Sequence, residues 1–188
     1  LDGALKLAET AYRQDGQLAG IATSFVDLDN LLGGLHKSDL IVLAGRPSMG
    51  KTALATNIAF NAARALIGAT DKSGAVGFFS LEMSAEQLAM RILADEAGIR
   101  SDHIRRGKIK DDEEFVRLVR AGQKLGEAPL FIDDTPALSV SQLRTRARRL
   151  KRTEGLSLII IDYLQLLRPA RRAENRVQEI SQITQGLK

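Results

Sequence analysis

Gly45-Arg46-Pro47-Ser48-Met49-Gly50-Lys51-Thr52 fits G-x-x-x-x-G-K-[ST], the glycine-rich loop whose backbone N–H groups wrap the phosphates of a nucleoside triphosphate. The flanks agree with that reading. Leu40 to Ala44 is an apolar run of strand length, and Thr52 to Leu66 has the make-up of a helix. Strand, loop and helix in this order bring phosphates to a helix N-terminus, where unpaired N–H groups and the helix dipole favour negative charge. Four fixed positions match by chance in roughly one chain in a hundred of this length, and the flanking pattern makes coincidence rarer still. Lys51 is expected to neutralise β- and γ-phosphate oxygens, and Thr52 to offer its hydroxyl to Mg²⁺.

Outward from the loop, strand and helix signals alternate. Strands are expected at Leu40–Ala44, Ala75–Ser80, Leu130–Ile132 and Leu158–Ile161, and helices at Thr52–Leu66, Ala85–Ala97, Glu113–Leu125 and Ser141–Arg152. The strand segments are nearly continuous apolar runs, which implies burial on both faces. Alternation with two-sided burial gives an α/β fold: a mainly parallel sheet with right-handed crossovers and helices on both faces. Ligands of such sheets sit at the carboxyl ends of the strands. Before the loop, Phe25, Leu28, Leu31 and Leu32 predict a small amphipathic helix stopped by Gly33 and Gly34. Leu5, Ala8, Ala11 and Tyr12 predict another, followed by a hinge at Gly16 and Gly20, so residues 1–20 read as a linker and 21–188 as the main domain. Val177, Ile180 and Ile183 keep helical spacing in the last segment, Glu174 to Lys188.

Binding phosphate is one task and hydrolysis another, which needs carboxylates. Leu158-Ile159-Ile160-Ile161-Asp162 places a carboxylate where a buried strand leaves the sheet. It either completes the Mg²⁺ site or simply begins a turn. Glu82 follows the strand Val76-Gly77-Phe78-Phe79-Ser80, where it could polarise the water attacking a γ-phosphate. The alternative is a plain residue before a helix, since Ser84 and Gln87 resemble a capping box. Both readings can hold together. His36 and His103 stand in polar surroundings and read as surface residues.

The 188 residues suit one domain with an appendage, and 44% hydrophobic with 27% charged content is ordinary for a globular chain with a core. With no cysteine, disulfides and thiolate metal sites are excluded, and a reducing, cytoplasmic setting fits. Asp162 interrupts the longest apolar run, Leu156 to Leu167, so no membrane span is expected, and the start does not resemble a signal peptide. The net charge of +4 is modest but unevenly placed. Arg144, Arg146, Arg148, Arg149, Lys151 and Arg152 crowd one segment, where Leu143, Ala147 and Leu150 mark a buried helix face and leave the arginines to solvent or a partner. Arg168, Arg171, Arg172 and Arg176 form a second cluster. Pro169 makes it a loop close behind Asp162, on the catalytic edge, and a basic loop there could grip nucleic-acid phosphates.

Taken together, Gly45 to Thr52, Ser80-Leu81-Glu82-Met83-Ser84 and Ile161-Asp162-Tyr163-Leu164-Gln165-Leu166 resemble the motifs of bacterial replicative DNA helicases of the DnaB type. Ile21 to Phe25, Leu28-Asp29 and Gly33-Gly34-Leu35 resemble the approach to that family's motor domain, and the likeness runs from about Tyr12 onward. The resemblance implies a RecA-like P-loop NTPase, ATP and Mg²⁺ as ligands, a homo-hexamer, and ATP-driven movement along single-stranded DNA. A helicase loader and primase are implied as partners. It assigns Glu82 as the catalytic base and Asp162 as the Mg²⁺ carboxylate, with Lys51 on the phosphates. It lines the central channel with loops such as Arg168, Arg171 and Arg172, and casts Leu1 to Arg13 as a linker helix docking on a neighbouring motor. The family's preceding helical domain, a γ-phosphate-sensing glutamine and the arginine finger fall outside this chain, so we expect a truncated motor, weakly active alone. The same machinery also serves recombination and repair ATPases of RecA type. A non-catalytic, nucleotide-gated module docking a helicase loader is the reading from another class.

Overall fold

A computed structural model describes residues 18, 20–67, 74–169 and 175–188. The chain divides into two compact units, Leu1–Ile41 and Val42–Lys188. In the first, an antiparallel bridge joins Ile21 to Leu35 around the helix α1, Val26–Leu32. Asp29 is buried, which a carboxylate tolerates only when satisfied. Its Oδ1 accepts from the Thr23 N–H and hydroxyl, both at 2.8 Å, and its Oδ2 accepts from the Ser24 N–H at 2.9 Å. The helix stops as expected at Gly33, whose φ of 68° is left-handed. The linker helix expected over Leu1 to Arg13 lies outside the described residues.

The second unit is built on three parallel strands, β1 (Ala75–Ser80), β2 (Leu130–Asp133) and β3 (Leu156–Asp162), in the order β2-β1-β3. Before, between and after them come α2 (Lys51–Ala65), α3 (Ala85–Ala97), α4 (Ser101–Arg105), α5 (Asp112–Glu127), α6 (Val140–Thr153) and α7 (Arg176–Leu187). Every residue of the central strand β1 is buried. Phe79 packs with Leu138, Leu143, Ala147, Leu167 and Ile183, so α6 and α7 cover that face. Gly77 lets α6 approach: an added Cβ would stand 3.2 Å from Leu150 Cδ2. Alternate residues of a strand point to opposite faces, which leaves Val76 and Phe78, both fully buried, facing α2 and its buried Ala59, Phe60 and Ala63. Helices therefore flank both faces of a parallel sheet, as the alternating sequence pattern implied.

Helix positions follow the sequence reading closely, with α3 at its expected bounds. The five-residue α4 and the 3-10 turn Leu164–Leu166 carry too few residues to show a period, and were not expected. One strand needs correction. Leu40–Ala44 forms no strand, and Leu40, Ile41, Val42 and Leu43 are 44–68% exposed. Apolar composition alone does not make a strand; a ladder partner must supply the hydrogen bonds, and β3 is an edge strand among the described residues. Two-sided burial likewise holds for β1 alone, since Phe131 of β2 and Ile159 of β3 are exposed.

Candidate nucleotide-binding site

The carboxyl ends of the three strands set out the site. Register pairs Ser80 with Asp162 and Phe79 with Asp133, which brings the ends of β1, β2 and β3 side by side. Asp162 is the last residue of β3 and is buried, and its Oδ2 has no hydrogen-bond partner. An orphaned buried carboxylate oxygen is costly, and a divalent cation or a donor on a ligand would offset that cost. Among the described residues no three His, Cys, Asp or Glu side chains cluster as a metal cage. A cation here would draw on few protein ligands, which suits Mg²⁺ shared with phosphates.

Glu82 stands one turn away. Ser80 is buried, and its hydroxyl donates to the Met83 carbonyl at 2.6 Å and accepts from the Met83 N–H at 3.2 Å, closing a tight turn with Glu82 exposed on it. The Leu81 N–H donates to the Asp162 carbonyl at 2.7 Å, tying this turn to the end of β3. Next comes the capping box foreseen in the sequence: Ser84 accepts from the Gln87 N–H, and the Gln87 side chain accepts from the Ser84 N–H. The structure thus brings Glu82 and Asp162 to one edge, and both readings of Glu82, helix approach and active carboxylate, are compatible with it.

The glycine-rich loop turns through left-handed backbone at Ser48 and Gly50, with φ of 63° and 83°. Gly50 is the N-cap of α2, and its side-chain-free cap leaves the first-turn N–H groups to a ligand or water. Lys51 Nζ folds back onto the loop and donates to the Gly45 and Arg46 carbonyls at 2.9 and 3.0 Å. The amine therefore sits over the ring of backbone that phosphates are expected to fill. Thr52 occupies the second position of α2, while Arg46, Pro47, Ser48 and Met49 form the exposed outer part of the loop.

Of the basic residues, Arg168 is exposed and lies just past the site, where its backbone pairs with the segment before α6: its N–H donates to the Leu138 carbonyl at 2.9 Å. Arg171 and Arg172 lie outside the described residues. Arg176 is engaged, with Glu179 at 2.6 Å and the Gln165 carbonyl at 2.8 Å. Along α6, Leu143 and Ala147 are buried and the arginines are exposed, the solvated-face arrangement. Arg146 departs from it. Its guanidinium binds the Asp133 carboxylate at 2.5 Å and the Thr135 hydroxyl at 2.6 Å. Burial alone would raise the Asp133 pKa, but Arg146 and Thr135 hold it below the usual carboxylate range. No sequence spacing signals that pair, whose members are brought together by β2 and α6. Arg146 and Arg168 border a shallow depression of ≈ 590 Å³ with Thr135, Ser139 and Gln142.

Known proteins resemble this chain in both sequence and fold. A family model described as the DnaB-like helicase C terminal domain matches residues 20–188. Among curated proteins, the replicative DNA helicase DnaB of Rickettsia conorii is 53% identical over 182 residues, covering 95% of this chain and 37% of that protein. That of Geobacillus stearothermophilus is 46% identical over 181 residues, covering 96% of this chain and 38% of its own length. The chain thus spans little more than a third of these relatives. Among solved structures, one described as an ATPase domain aligns with a TM-score of 0.87 at 28% identity, over 99% of this chain and 64% of that one. A DnaB-like replicative helicase, described with its interactions with primase, aligns with a TM-score of 0.84 at 30% identity, over 100% of this chain and 44% of that one. The fold is that of RecA-like helicase ATPase domains.

Proposed function

Because this chain belongs to the DnaB-like helicase C-terminal domain family, we propose that it is the ATP-hydrolysing motor of a replicative DNA helicase. The observation that carries the proposal is the edge at which the unpartnered Asp162 oxygen and the Glu82 turn meet, in the same unit as the glycine-rich loop. In this reading residues 45–52 bind the triphosphate of ATP, with backbone N–H groups on the phosphates and the Lys51 amine moving from the Gly45 and Arg46 carbonyls onto β- and γ-oxygens. Thr52 and Asp162 hold Mg²⁺, which when bound neutralises the charge of those oxygens. Glu82 accepts a proton from the attacking water and orients it toward the γ-phosphorus. Arg168, Arg171 and Arg172 contact the phosphates of single-stranded DNA.

The relatives' names support replication as the setting, and the primase named with one structural neighbour makes primase a partner to test, beside a helicase loader. A ring of six such motors and a cytoplasmic location complete the reading; no described helix is long and apolar enough to cross a membrane. Domain limits of 1–20 for the linker and 21–188 for the motor stay part of this proposal. The test is ATP-dependent unwinding of a forked DNA duplex by the intact protein. Unwinding by the native protein and none by Lys51→Ala is the expected result; equal unwinding by both would overturn the proposal.

A further inference from the structure

Between β2 and α6 runs a short segment, residues 134–139, that touches two parts of the site from opposite ends. At its start, Asp134 Oδ2 accepts the Ala85 N–H at 2.9 Å. Ala85 is the first residue of α3, directly after the Ser84 cap and three positions past Glu82. This bond crosses 49 positions of sequence and fixes the helix start from outside its own chain segment. At the far end, the Arg168 N–H donates to the Leu138 carbonyl at 2.9 Å, and Ser139 and Arg168 form a parallel bridge.

The segment between these ends is held at several points. The Asp133 carboxylate accepts the Thr135 N–H at 3.1 Å, and Arg146 grips both Asp133 and the Thr135 hydroxyl. Pro136 has a fixed φ, Ala137 is held at a left-handed φ of 55°, and the Leu138 side chain is anchored in the core at 2% exposure. A non-glycine residue in that conformation persists only where its surroundings determine it. Hydrogen bonds at both ends of this segment therefore link Arg168 to the start of α3.

We propose that Asp134 is a positioning residue for Glu82, and that through it contact of nucleic-acid phosphates at Arg168 is conveyed to the hydrolytic turn. This rests on the reading of Glu82 as the base and Arg168 as a DNA contact. The Asp134 carboxylate holds the Ala85 N–H, the Ser84 cap and the Ser80–Met83 lock keep their register, and Glu82 stays aimed at the water. Contiguity alone does not establish coupling, so the test is a double-mutant cycle.

ATP turnover by the intact protein is measured with and without oligo-dT, for the native protein, Asp134→Ala, Asp134→Asn, Arg168→Ala, the Asp134→Ala/Arg168→Ala pair and Glu82→Gln. Asp134→Ala is expected to lower the DNA-stimulated kcat on the order of tenfold, the effect of one missing charge-assisted hydrogen bond, with KM for ATP within about twofold of native. Asp134→Asn keeps an accepting carbonyl and is expected to restore most of kcat. The pair is expected to stimulate no worse than the weaker single variant. An unchanged kcat in Asp134→Ala, a parallel fall in kcat and ATP affinity, an Asn variant as impaired as Ala, or additive losses in the pair each overturn the inference. Glu82→Gln separates the two levels: full turnover in that variant removes the underlying reading, whereas an inert Glu82→Gln beside a fully active Asp134→Ala removes the inference alone.

Discussion

Ser80→Ala removes one oxygen atom and with it the lock of the turn that carries Glu82. The hydroxyl makes two hydrogen bonds to Met83, one donated at 2.6 Å and one accepted at 3.2 Å. Each is worth about 0.5–1.5 kcal/mol net, and Met83 is only half-buried, so water can replace part of what is removed. The stability cost is then about 1–2 kcal/mol, or roughly 2–8 °C in Tm at about 2–4 °C per kcal/mol for a chain of this size. The larger effect is on chemistry. A catalytic group misplaced by about 1 Å can lose on the order of a hundredfold in rate, so kcat for ATP is expected to fall about tenfold to a hundredfold. KM should change little, because Ser80 does not belong to the phosphate loop. Thermal unfolding and steady-state hydrolysis at saturating single-stranded DNA measure the two effects side by side. The expected drop in Tm with kcat at the native value would refute the reasoning, for the turn would then not be what aims Glu82.

Three other perturbations probe separate parts of the account. Gly50 has a φ of 83° and nothing within 4 Å of an added Cβ, so Gly50→Ala is expected to cost about 1–2 kcal/mol through backbone conformation alone and to weaken nucleotide binding; a calorimetric titration unchanged from native would contradict this. Arg146→Ala frees Asp133, whose pKa is depressed in the folded state. The pair's stabilisation is therefore present above the ordinary carboxylate range and lost as pH falls from there through the lower folded pKa. For a pair this exposed it amounts to about 0.5–1 kcal/mol. Urea midpoints of native and variant should differ at pH 7 and converge at acid pH. Arg168→Ala should reduce the salt dependence of single-stranded DNA binding, with the slope of log K against log salt falling by about 0.7 for each phosphate no longer neutralised; an unchanged slope removes Arg168 from the DNA-binding surface.

How much of this was legible beforehand depends on how local each feature is. Ser84 with Gln87 announced the start of α3, and Gly33 the end of α1, because a cap is written in neighbouring residues. The run ending in Asp162 showed a strand with a carboxylate at its exit, and the structure puts that residue beside the Glu82 turn. Leu40 to Leu43 misled because apolarity is a property of the segment, while a strand is a property of a pair. Arg146 lies on the solvated face of α6 as read, and only the fold supplies its partner Asp133. The Asp134–Ala85 bond spans 49 positions, and no spacing rule reaches that far.

The central claim is that one edge of this sheet hydrolyses ATP with Glu82 as the base. Its most direct measurement pairs nucleotide binding with turnover in Glu82→Gln of the intact protein, in the presence of Mg²⁺ and single-stranded DNA. The substitution keeps the size of the side chain and removes its ability to take a proton. ATP affinity within about twofold of native, with turnover lowered by about a hundredfold or more, is the expected result. Turnover at the native rate would contradict the account.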